Sequence, residues 1–271
     1  MALPILKWAG GKRALLPELL ARVPDKVGTY YEPFAGGAAL FFSLAEAPPF
    51  RRAVLADRNA ELINFYEVVR DRLPEMLRVL EQAPQGEDVY YAVRDVDVRS
   101  LDVIARAARV AYLNRTCFNG LWRENKAGRF NVPYGHMCRV KLCDPARLGK
   151  AQVALRNAAL RSDDFAAVVS HAKRGDFVYF DPPYAPVSST SKFTDYAGGG
   201  FGMNDQARLA EVAKNLSSRG VRVLLSNSDT PEVRALYTGF SLNVIRAPRA
   251  ISARASGRGA VDELIIESVI S

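Results

Sequence analysis

The 271-residue chain is predicted to adopt an α/β fold in which crossover helices join a mostly parallel sheet. Two strand-to-helix units follow each other near the start, and the same rhythm returns after residue 149. The stretch between them contains helical patterns and a polar loop, but no clean strand of a parallel sheet. The sequence therefore predicts a discontinuous α/β domain over 1–72 and 149–271, interrupted by a mainly helical domain over 73–148.

The first unit, "GTYYEPFAGGAALFFSLAEA", reads as a strand, a turn at Gly36 and Gly37, and a helix. Ligands bind beyond the carboxyl ends of parallel strands, and glycine lets backbone amides approach them closely. The spacing does not match the G-x-G-x-x-G dinucleotide pattern. A plain tight turn is the alternative for these glycines.

The second unit, "RRAVLADRNAELINFYEVVRDR", is an apolar strand to Leu55, an acid at Asp57 and an amphipathic helix. An acid at this place, about 20 residues after a first glycine turn, can accept hydrogen bonds from both ribose hydroxyls of an adenosine. The alternative is that Asp57 caps the helix. The order of the turn and the acid favours a nucleoside cofactor.

The interrupting segment contains the helical patterns "LPEMLRVLEQA" and "LDVIARAARVAYLNRTCF". They are followed by "FNGLWRENKAGRFNVPYGHM", whose Asn, Gly, Arg and aromatic residues are typical of an exposed hairpin or loop. Its aromatic residues Phe118 and Trp122 suit either stacking on nucleic-acid bases or packing in a core.

The returning β/α pattern starts with a predicted strand, "AQVALRNAAL", and a short helix, "SDDFAAVVSHA", that Ser162 can cap. A strand, "GDFVYFDPPY", precedes a helix, "NDQARLAEVAKNLSSRG", that stops at Gly220. The strand "VRVLLSNSDT", a helix opened by Pro231 and a last strand, "VDELIIESVI", complete the fold.

The motif Asp181-Pro182-Pro183-Tyr184 ends one of these strands. The prolines fix φ and remove two backbone donors, which leaves their carbonyls as acceptors in a stiff loop. With the Asp181 carboxylate and the flat Tyr184 ring, such a loop suits a planar group that carries an exocyclic –NH₂. A proline turn capped by the aspartate is the alternative, because these residue types are common in turns.

The net charge of +8 and the isoelectric point of about 9.5 suggest a polyanionic partner, nucleic acid first. Five basic residues are candidates for phosphate contacts, although a solvated basic face is the alternative for each: Arg139, Lys141, Arg249, Arg254 and Arg258. No apolar run approaches the roughly 18 residues of a membrane span, and no secretory signal is evident. We therefore expect a cytoplasmic protein.

The three cysteines Cys117, Cys138 and Cys143 lie near His136 without a common zinc spacing, so no metal site is predicted. The chain has only two histidines, which leaves little scope for a histidine base.

Six segments resemble, in order and over nearly the whole chain, the motifs of Dam-like DNA adenine methyltransferases. They are "LKWAGGK", "EPFAGGAALFF", "LADRNAELIN", "CFNGLWREN…GRFNVPYG", "FDPPY" and "LLSNSDT". The resemblance implies a Rossmann-like methyltransferase sheet with helices on both faces and an inserted DNA-recognition domain that carries a β-hairpin. It also implies S-adenosyl-L-methionine as cofactor, double-stranded DNA as partner, a monomer, and a prokaryotic, nucleoid-associated location.

The resemblance also assigns roles to residues. It implies catalytic roles for Asp181, Pro182 and Tyr184. The residues implied to bind the cofactor are Trp8, Ala9, Gly10, Lys12, Glu32, Phe34, Ala35, Gly36, Asp57, Asp164, Phe165 and Asp181. Those implied to contact DNA are Lys7, Phe118, Asn119, Leu121, Arg123, Asn125 and Pro133.

These observations lead to the hypothesis of methyl transfer from S-adenosylmethionine to the exocyclic amine of a flipped adenine in duplex DNA. The likeness suggests a GATC-like target, in a restriction–modification system or in DNA replication and repair. Two alternatives stay open at this point. One is a methyltransferase acting on RNA adenine or a protein amide, and the other is a DNA-binding homologue without catalysis.

Overall fold

The computed structural model describes residues 4–8, 15–125, 127–137, 140–185, 201–248 and 260–269. Its strands are β1 (Thr29–Glu32), β2 (Arg52–Ala56), β3 (Ala158–Arg161), β4 (Phe177–Phe180), β5 (Arg222–Ser228), β6 (Phe240–Pro248) and β7 (Ala260–Ser268). Its α-helices are α1 (Leu16–Leu20), α2 (Ala39–Leu44), α3 (Ala60–Asp71), α4 (Leu73–Glu81), α5 (Glu87–Asp95), α6 (Val103–Thr116), α7 (Pro145–Leu155), α8 (Phe165–Val168), α9 (Met203–Ser218) and α10 (Pro231–Leu236).

The strands form a seven-stranded sheet in the order β3-β2-β1-β4-β5-β7-β6. Strand β4 pairs in parallel with β1 and with β5. Strand β7 is antiparallel to both of its neighbours, with Ile266 opposite Leu225 of β5 and opposite Leu242 of β6. The mostly parallel α/β sheet predicted from the sequence is confirmed. Strand β6 was not predicted, although its first five residues, "FSLNV", alternate between apolar and polar as a strand does.

Two details of the predicted elements are wrong. The segment "AQVALRNAAL" is helical in its first half, since α7 runs to Leu155 and β3 begins only at Ala158. Apolar burial at Leu148, Ala151 and Leu155 follows helical spacing, and this packing outweighs the local strand propensity. Helix α8 is capped by Asp164 rather than Ser162, because the Asp164 carboxylate accepts a hydrogen bond from the amide of Ala166.

The chain divides into two compact units. The first unit is Met1–Gly11, Ala35–Pro48 and Leu55–Asp163, and the second unit is Lys12–Phe34, Pro49–Val54 and Asp164–Ser271. Each has its own buried core, exemplified by Phe65 and Leu113 in the first unit and by Phe177 and Leu225 in the second. The separate recognition domain over 73–148 stays a prediction. Among the described helices, none is long and apolar enough to cross a bilayer.

Candidate functional site

In the first unit, residues Ala35–Ala38 form a tight turn, called here the glycine turn. Gly36 has φ +45° and Ala38 has φ +48°, and the amide of Ala35 donates to the carbonyl of Ala56 at 2.8 Å. A Cβ on Gly36 would lie 2.7 Å from Cδ1 of Trp8, so the indole ring lies directly against this glycine. Both the backbone angle and this contact require glycine at position 36.

Asp57 holds the glycine turn through its carboxylate. Its Oδ2 accepts a hydrogen bond from the amide of Gly36 at 3.0 Å, and its Oδ1 accepts one from the amide of Asn59 at 2.9 Å. Asn59 is the residue that caps α3, so the alternative of Asp57 as the helix cap is wrong. Burial raises the pKa of Asp57, although these two amides act in the opposite direction. A carboxylate oxygen can accept more than one hydrogen bond, which suits ribose hydroxyls.

The segment Phe118–Tyr134, called here the recognition hairpin, forms the hairpin that its composition predicts. The amide of Phe118 donates to the carbonyl of Pro133 at 2.9 Å, and the amide of Asn131 donates to the carbonyl of Arg123 at 3.0 Å. At the tip, the Asn125 side-chain oxygen accepts from the amides of Ala127 and Arg129. This bonding gives Asn125 a structural task in the turn.

Several predicted DNA-contacting residues are exposed on the recognition hairpin. Phe118 is 50% exposed, and Asn119 next to it has φ +57°. Arg123 is exposed and donates from Nε to Oδ1 of Asn131 at 2.7 Å. Pro133 is also exposed, whereas Leu121 is half-buried.

Lys7 lies against the start of the recognition hairpin. The Asn114 side chain accepts a hydrogen bond from the Lys7 amide at 2.9 Å and donates one to the Lys7 carbonyl at 2.7 Å. A Cβ on Gly120 would lie 2.5 Å from Cδ of Lys7, so the lysine stem covers this glycine. The first unit therefore brings together the predicted DNA residue Lys7 and the hairpin.

In the second unit, residues Asp181–Ala185 form a stiff segment, called here the proline loop. Oδ1 of Asp181 accepts a hydrogen bond from Oγ of Ser226 at 2.8 Å, and the hydroxyl of Tyr184 donates to Glu263 at 2.7 Å. The carbonyl of Pro183 accepts from Gln206 at 2.8 Å. Gln206 therefore occupies one acceptor position of the Pro183 carbonyl, and the carbonyl of buried Pro182 is the candidate acceptor for a ligand amine.

A buried polar network fixes the end of the proline loop. Asn227 accepts hydrogen bonds from the amides of Ala185 and Ser228 and donates to Gln206 at 2.9 Å. The Ser228 hydroxyl donates to the carbonyl of Ala185 at 2.8 Å. No individual role was predicted for these residues. The signal was the polar run "SNSDT" directly after an apolar strand, because buried polar groups need partners.

Three tyrosines near the proline loop stay protonated. Burial raises the pKa of Tyr184 and of Tyr179 well above the ordinary range, and the neighbouring Asp181 carboxylate raises both further. Burial and then Glu32 raise the pKa of Tyr30, whose hydroxyl donates to the buried Glu32 carboxylate at 2.8 Å. These hydroxyls can anchor carboxylates but cannot act as bases.

An aromatic cluster lies beside α8 in the second unit. The ring of Phe34 stacks on Phe165 with centroids 5.3 Å apart and meets Phe201 edge-on at 5.5 Å. Arg208 donates from Nη1 to Oδ2 of Asp164 at 2.9 Å, and its guanidinium lies 4.5 Å from the centroid of Phe165. Phe201 and Arg208 were not found by sequence reasoning, because both lie far along the chain from α8.

Some predicted residues lie outside the part of the chain that the structure describes. They are Ala9, Gly10 and Lys12 of the cofactor set, and Arg139, Arg249, Arg254 and Arg258 of the phosphate set. Within the described ranges, no group of three or more His, Cys, Asp or Glu residues is arranged to hold a metal ion.

Comparison with known proteins gives a consistent picture. The family model for "D12 class N6 adenine-specific DNA methyltransferase" matches residues 8–251. The chain is 41% identical to the type II methyltransferase M1.LlaDCHI of Lactococcus lactis subsp. cremoris, over 97% of this chain and 94% of that protein. It is 38% identical to a DNA adenine methylase of Vibrio cholerae, over 96% and 94% of the two chains.

A solved structure similar to this chain is that of precorrin-6y C5,15-methyltransferase from Geobacter metallireducens. The TM-score is 0.44 at 12% identity, with 100% of this chain and 99% of that chain covered. This similarity is too remote to indicate function.

Proposed function

Because the chain belongs to the D12 class of N6 adenine-specific DNA methyltransferases, we propose that it transfers methyl from S-adenosylmethionine to the exocyclic amine of a flipped adenine in DNA. Methyl transfer to adenine in DNA follows from the family. The donor and the residue roles are our proposal. The observation that carries them is the proline loop, where Ser226 orients the Asp181 carboxylate and Glu263 anchors Tyr184.

The donor set of the first unit fits an adenosine-containing cofactor. Each Asp57 oxygen already accepts one backbone hydrogen bond and keeps lone pairs for ribose hydroxyls. The residues that would hold the cofactor are Trp8, Ala9, Gly10, Lys12, Glu32, Phe34, Ala35, Gly36, Asp57, Asp164, Phe165 and Asp181. When bound, S-adenosylmethionine supplies an electrophilic methyl group on a sulfonium.

The proline loop holds the substrate amine. The Asp181 carboxylate and the Pro182 carbonyl accept hydrogen bonds from the two N–H groups of the adenine amine, so that the amine lone pair stays on nitrogen. The Tyr184 ring stacks on the flipped base, which offsets part of the few kcal/mol that unstacking costs. The hydrogen bond from Ser226 keeps the Asp181 carboxylate in the orientation in which it accepts a hydrogen bond from the amine.

The DNA side of the reaction is assigned to the recognition hairpin. Arg123 can pair bidentately with guanine, and the half-exposed ring of Phe118 can stack against an opened base pair. The proposed DNA contacts are Lys7, Phe118, Asn119, Leu121, Arg123, Asn125 and Pro133. The GATC-like target, the monomeric state and the cytoplasmic location stay predictions.

The test uses unmethylated duplex DNA and S-adenosylmethionine with a tritiated methyl group. After digestion to nucleosides, label is expected on N6-methyladenine. Asp181→Ala should abolish transfer while DNA binding survives, because a carboxylate acceptor is lost without any change at the hairpin. Asp71→Asn is the matched control, since Asp71 is an exposed carboxylate that pairs with its neighbour Arg70. Label on cytosine or protein, or full activity of Asp181→Ala, would overturn the proposal.

The target sequence needs a separate measurement. The protein is expressed in a host without adenine methylation, and the modified positions are read by sequencing. Methylation confined to one short motif is expected. Competition between duplex DNA, RNA and protein acceptors then ranks the substrates, and family membership favours DNA.

A further inference from the structure

The two tryptophans of the chain stack on each other. Trp8 and Trp122 have ring centroids 5.7 Å apart and an interplanar angle of 16°. Trp8 lies against Gly36 of the glycine turn, and Trp122 packs on Phe130 across the recognition hairpin at 4.7 Å. The stacked pair therefore joins the glycine turn to the hairpin.

A second connection runs through Glu124. Its Oε1 accepts hydrogen bonds from Nε1 of Trp122 at 2.8 Å and from the side-chain amide of Asn59 at 2.9 Å. The backbone amide of Asn59 donates to Asp57, and the other oxygen of Asp57 holds Gly36. These contacts close into a ring of six residues, called here the contact ring: Gly36, Asp57, Asn59, Glu124, Trp122 and Trp8.

From this geometry we propose that Glu124 is a positioning residue that couples cofactor binding to the DNA-reading position of the recognition hairpin. The inference rests on the proposed function, in which Asp57 and Gly36 hold the cofactor and the hairpin reads DNA. A cofactor that fixes the Asp57 side chain also fixes Asn59, which is bonded to it. Glu124, bonded to both Asn59 and Trp122, then fixes the position of the Trp122 ring. By linkage, the cofactor and DNA each strengthen the binding of the other by the same factor.

The coupling acts on Arg123 in particular. Arg123 lies between Trp122 and Glu124 in the chain and is bonded to Asn131 on the opposite side of the hairpin. A shift of Trp122 also moves Phe130, which forms a bridge with Glu124. The contact ring therefore sets where the guanidinium of Arg123 points, although Glu124 itself need not touch DNA.

The test compares three variants of the full chain with the unchanged protein. Glu124→Ala removes both acceptor bonds, whereas Glu124→Gln keeps a carbonyl oxygen that can accept them. Trp122→Phe keeps an aromatic ring but removes the indole donor. Glu211→Ala is the matched control, because Glu211 is an exposed glutamate paired with Lys214 on α9.

The first readout is the affinity for a fluorescent DNA duplex with and without saturating S-adenosylhomocysteine. We expect the unchanged protein and Glu211→Ala to bind DNA roughly 5- to 50-fold more tightly with the analogue. Glu124→Ala and Trp122→Phe should reduce this ratio to about two-fold or less, and Glu124→Gln should restore most of it. Affinity for the analogue alone, without DNA, should change little.

The second readout is circular dichroism in the tryptophan bands, where two closely stacked indoles give a paired signal. Glu124→Ala should weaken this signal at an unchanged melting temperature, and Glu124→Gln should keep it. An undiminished coupling ratio in both Glu124→Ala and Trp122→Phe would overturn the inference, as would equal loss in Glu124→Ala and Glu124→Gln. If the unchanged protein fails to bind S-adenosylhomocysteine, the proposed function fails first, and the inference falls with it.

Discussion

The recognition hairpin and the proline loop are held by different kinds of contact. On the hairpin, Arg123 and Glu124 are exposed, and their hydrogen bonds to Asn131 and Asn59 are open to water. The proline loop is held by Gln206 and Asn227, both of which are fully buried. Two functional segments of one chain thus differ in the environment of the bonds that fix them.

This difference has energetic consequences. A hydrogen bond in the dry interior is strong, and breaking one side of it leaves a buried polar group without a partner. A bond between exposed side chains competes with water and contributes little to stability. The proline loop, which is assigned to chemistry, is therefore fixed, whereas the recognition hairpin, which is assigned to DNA reading, is adjustable.

Replacing Asn227 by alanine should have the largest effect on stability. The substitution removes the partner of the Ala185 amide, the Ser228 amide and Gln206 in a buried place. The free energy of unfolding should fall by about 3 kcal/mol, as measured by urea denaturation. Asn243→Ala on β6 is the control, because that side chain is half-buried, and its loss should stay below about 1 kcal/mol. Equal losses of unfolding free energy in Asn227→Ala and Asn243→Ala would contradict the view that buried hydrogen bonds fix the proline loop.

Replacing Ser226 by alanine should affect catalysis more than folding. Asp181 loses the bond that orients it, so kcat should fall by roughly 100-fold while KM for DNA changes little. Ser228→Ala is the matched control on the same face of β5, since Ser228 bonds the Ala185 carbonyl instead of Asp181. We expect kcat of the control to fall much less. A larger fall in kcat for Ser228→Ala than for Ser226→Ala would show that the proline loop does not act through Asp181.

Replacing Gly36 by alanine tests the contact with Trp8. The positive φ strains the backbone by about 1–3 kcal/mol, and the new Cβ displaces the indole ring. Affinity for S-adenosylhomocysteine should fall by about 10-fold by calorimetry, and the tryptophan circular dichroism should change. Gly175→Ala is the control, because Gly175 has φ +90° but no atom within 4 Å of an added Cβ. It should lose stability without losing cofactor affinity.

Replacing Asn131 by alanine tests whether an exposed hydrogen bond of the recognition hairpin contributes to stability. Arg123 loses a hydrogen-bond partner at an exposed position, so stability should change by less than about 0.5 kcal/mol. DNA affinity should fall a few-fold in a fluorescence titration. The slope of affinity against salt should not change, because no phosphate contact is removed. A large loss of stability would show that the hairpin is not adjustable.

The smallest effect should be a pH dependence of cofactor binding. Burial raises the pKa of Asp57, so the carboxylate is protonated at a higher pH than an ordinary aspartate, whose pKa is about 3.9. As the pH falls through the raised pKa, affinity for S-adenosylhomocysteine should fall, since a neutral acid accepts hydrogen bonds less well. Asp57→Asn should bind weakly without this pH dependence. Calorimetry over a series of pH values from neutral into the acidic range would test this, and identical pH profiles for the unchanged protein and Asp57→Asn would contradict it.

The same raised pKa has a separate effect on stability. Because the folded-state pKa exceeds the unfolded one, the stabilisation by Asp57 is present below the unfolded pKa and is lost as pH rises through the folded pKa. Folding and cofactor binding therefore respond to Asp57 ionisation with opposite signs.

Much of the fold was predictable from local signals. The strand-to-helix units, the stop at Gly220 and the helix opened by Pro231 depend on neighbouring residues, which a sequence displays directly. The cap at Asn59 rather than Asp57 was not predictable, because both residue types suit that position and the choice depends on where the Gly36 amide lies.

The candidate site was predictable in its motifs but not in its supporting contacts. Asp181 and Tyr184 stand in a recognisable motif, whereas their partners Ser226 and Glu263 lie 45 and 79 residues away along the chain. The bond between Asn59 and Glu124 likewise spans 65 residues. Such pairs depend on how the elements pack, and no local pattern encodes that packing.

The anchoring of Tyr184 by Glu263 also bears on how the protein is made. After a ribosome has incorporated Tyr184, it must add 79 more residues before Glu263 is part of the chain. This takes roughly 4 to 16 seconds at bacterial translation speeds. Strand β7 then has to insert between β5 and β6. A nascent chain therefore carries the motif for some seconds before Glu263 can hold the tyrosine ring in place.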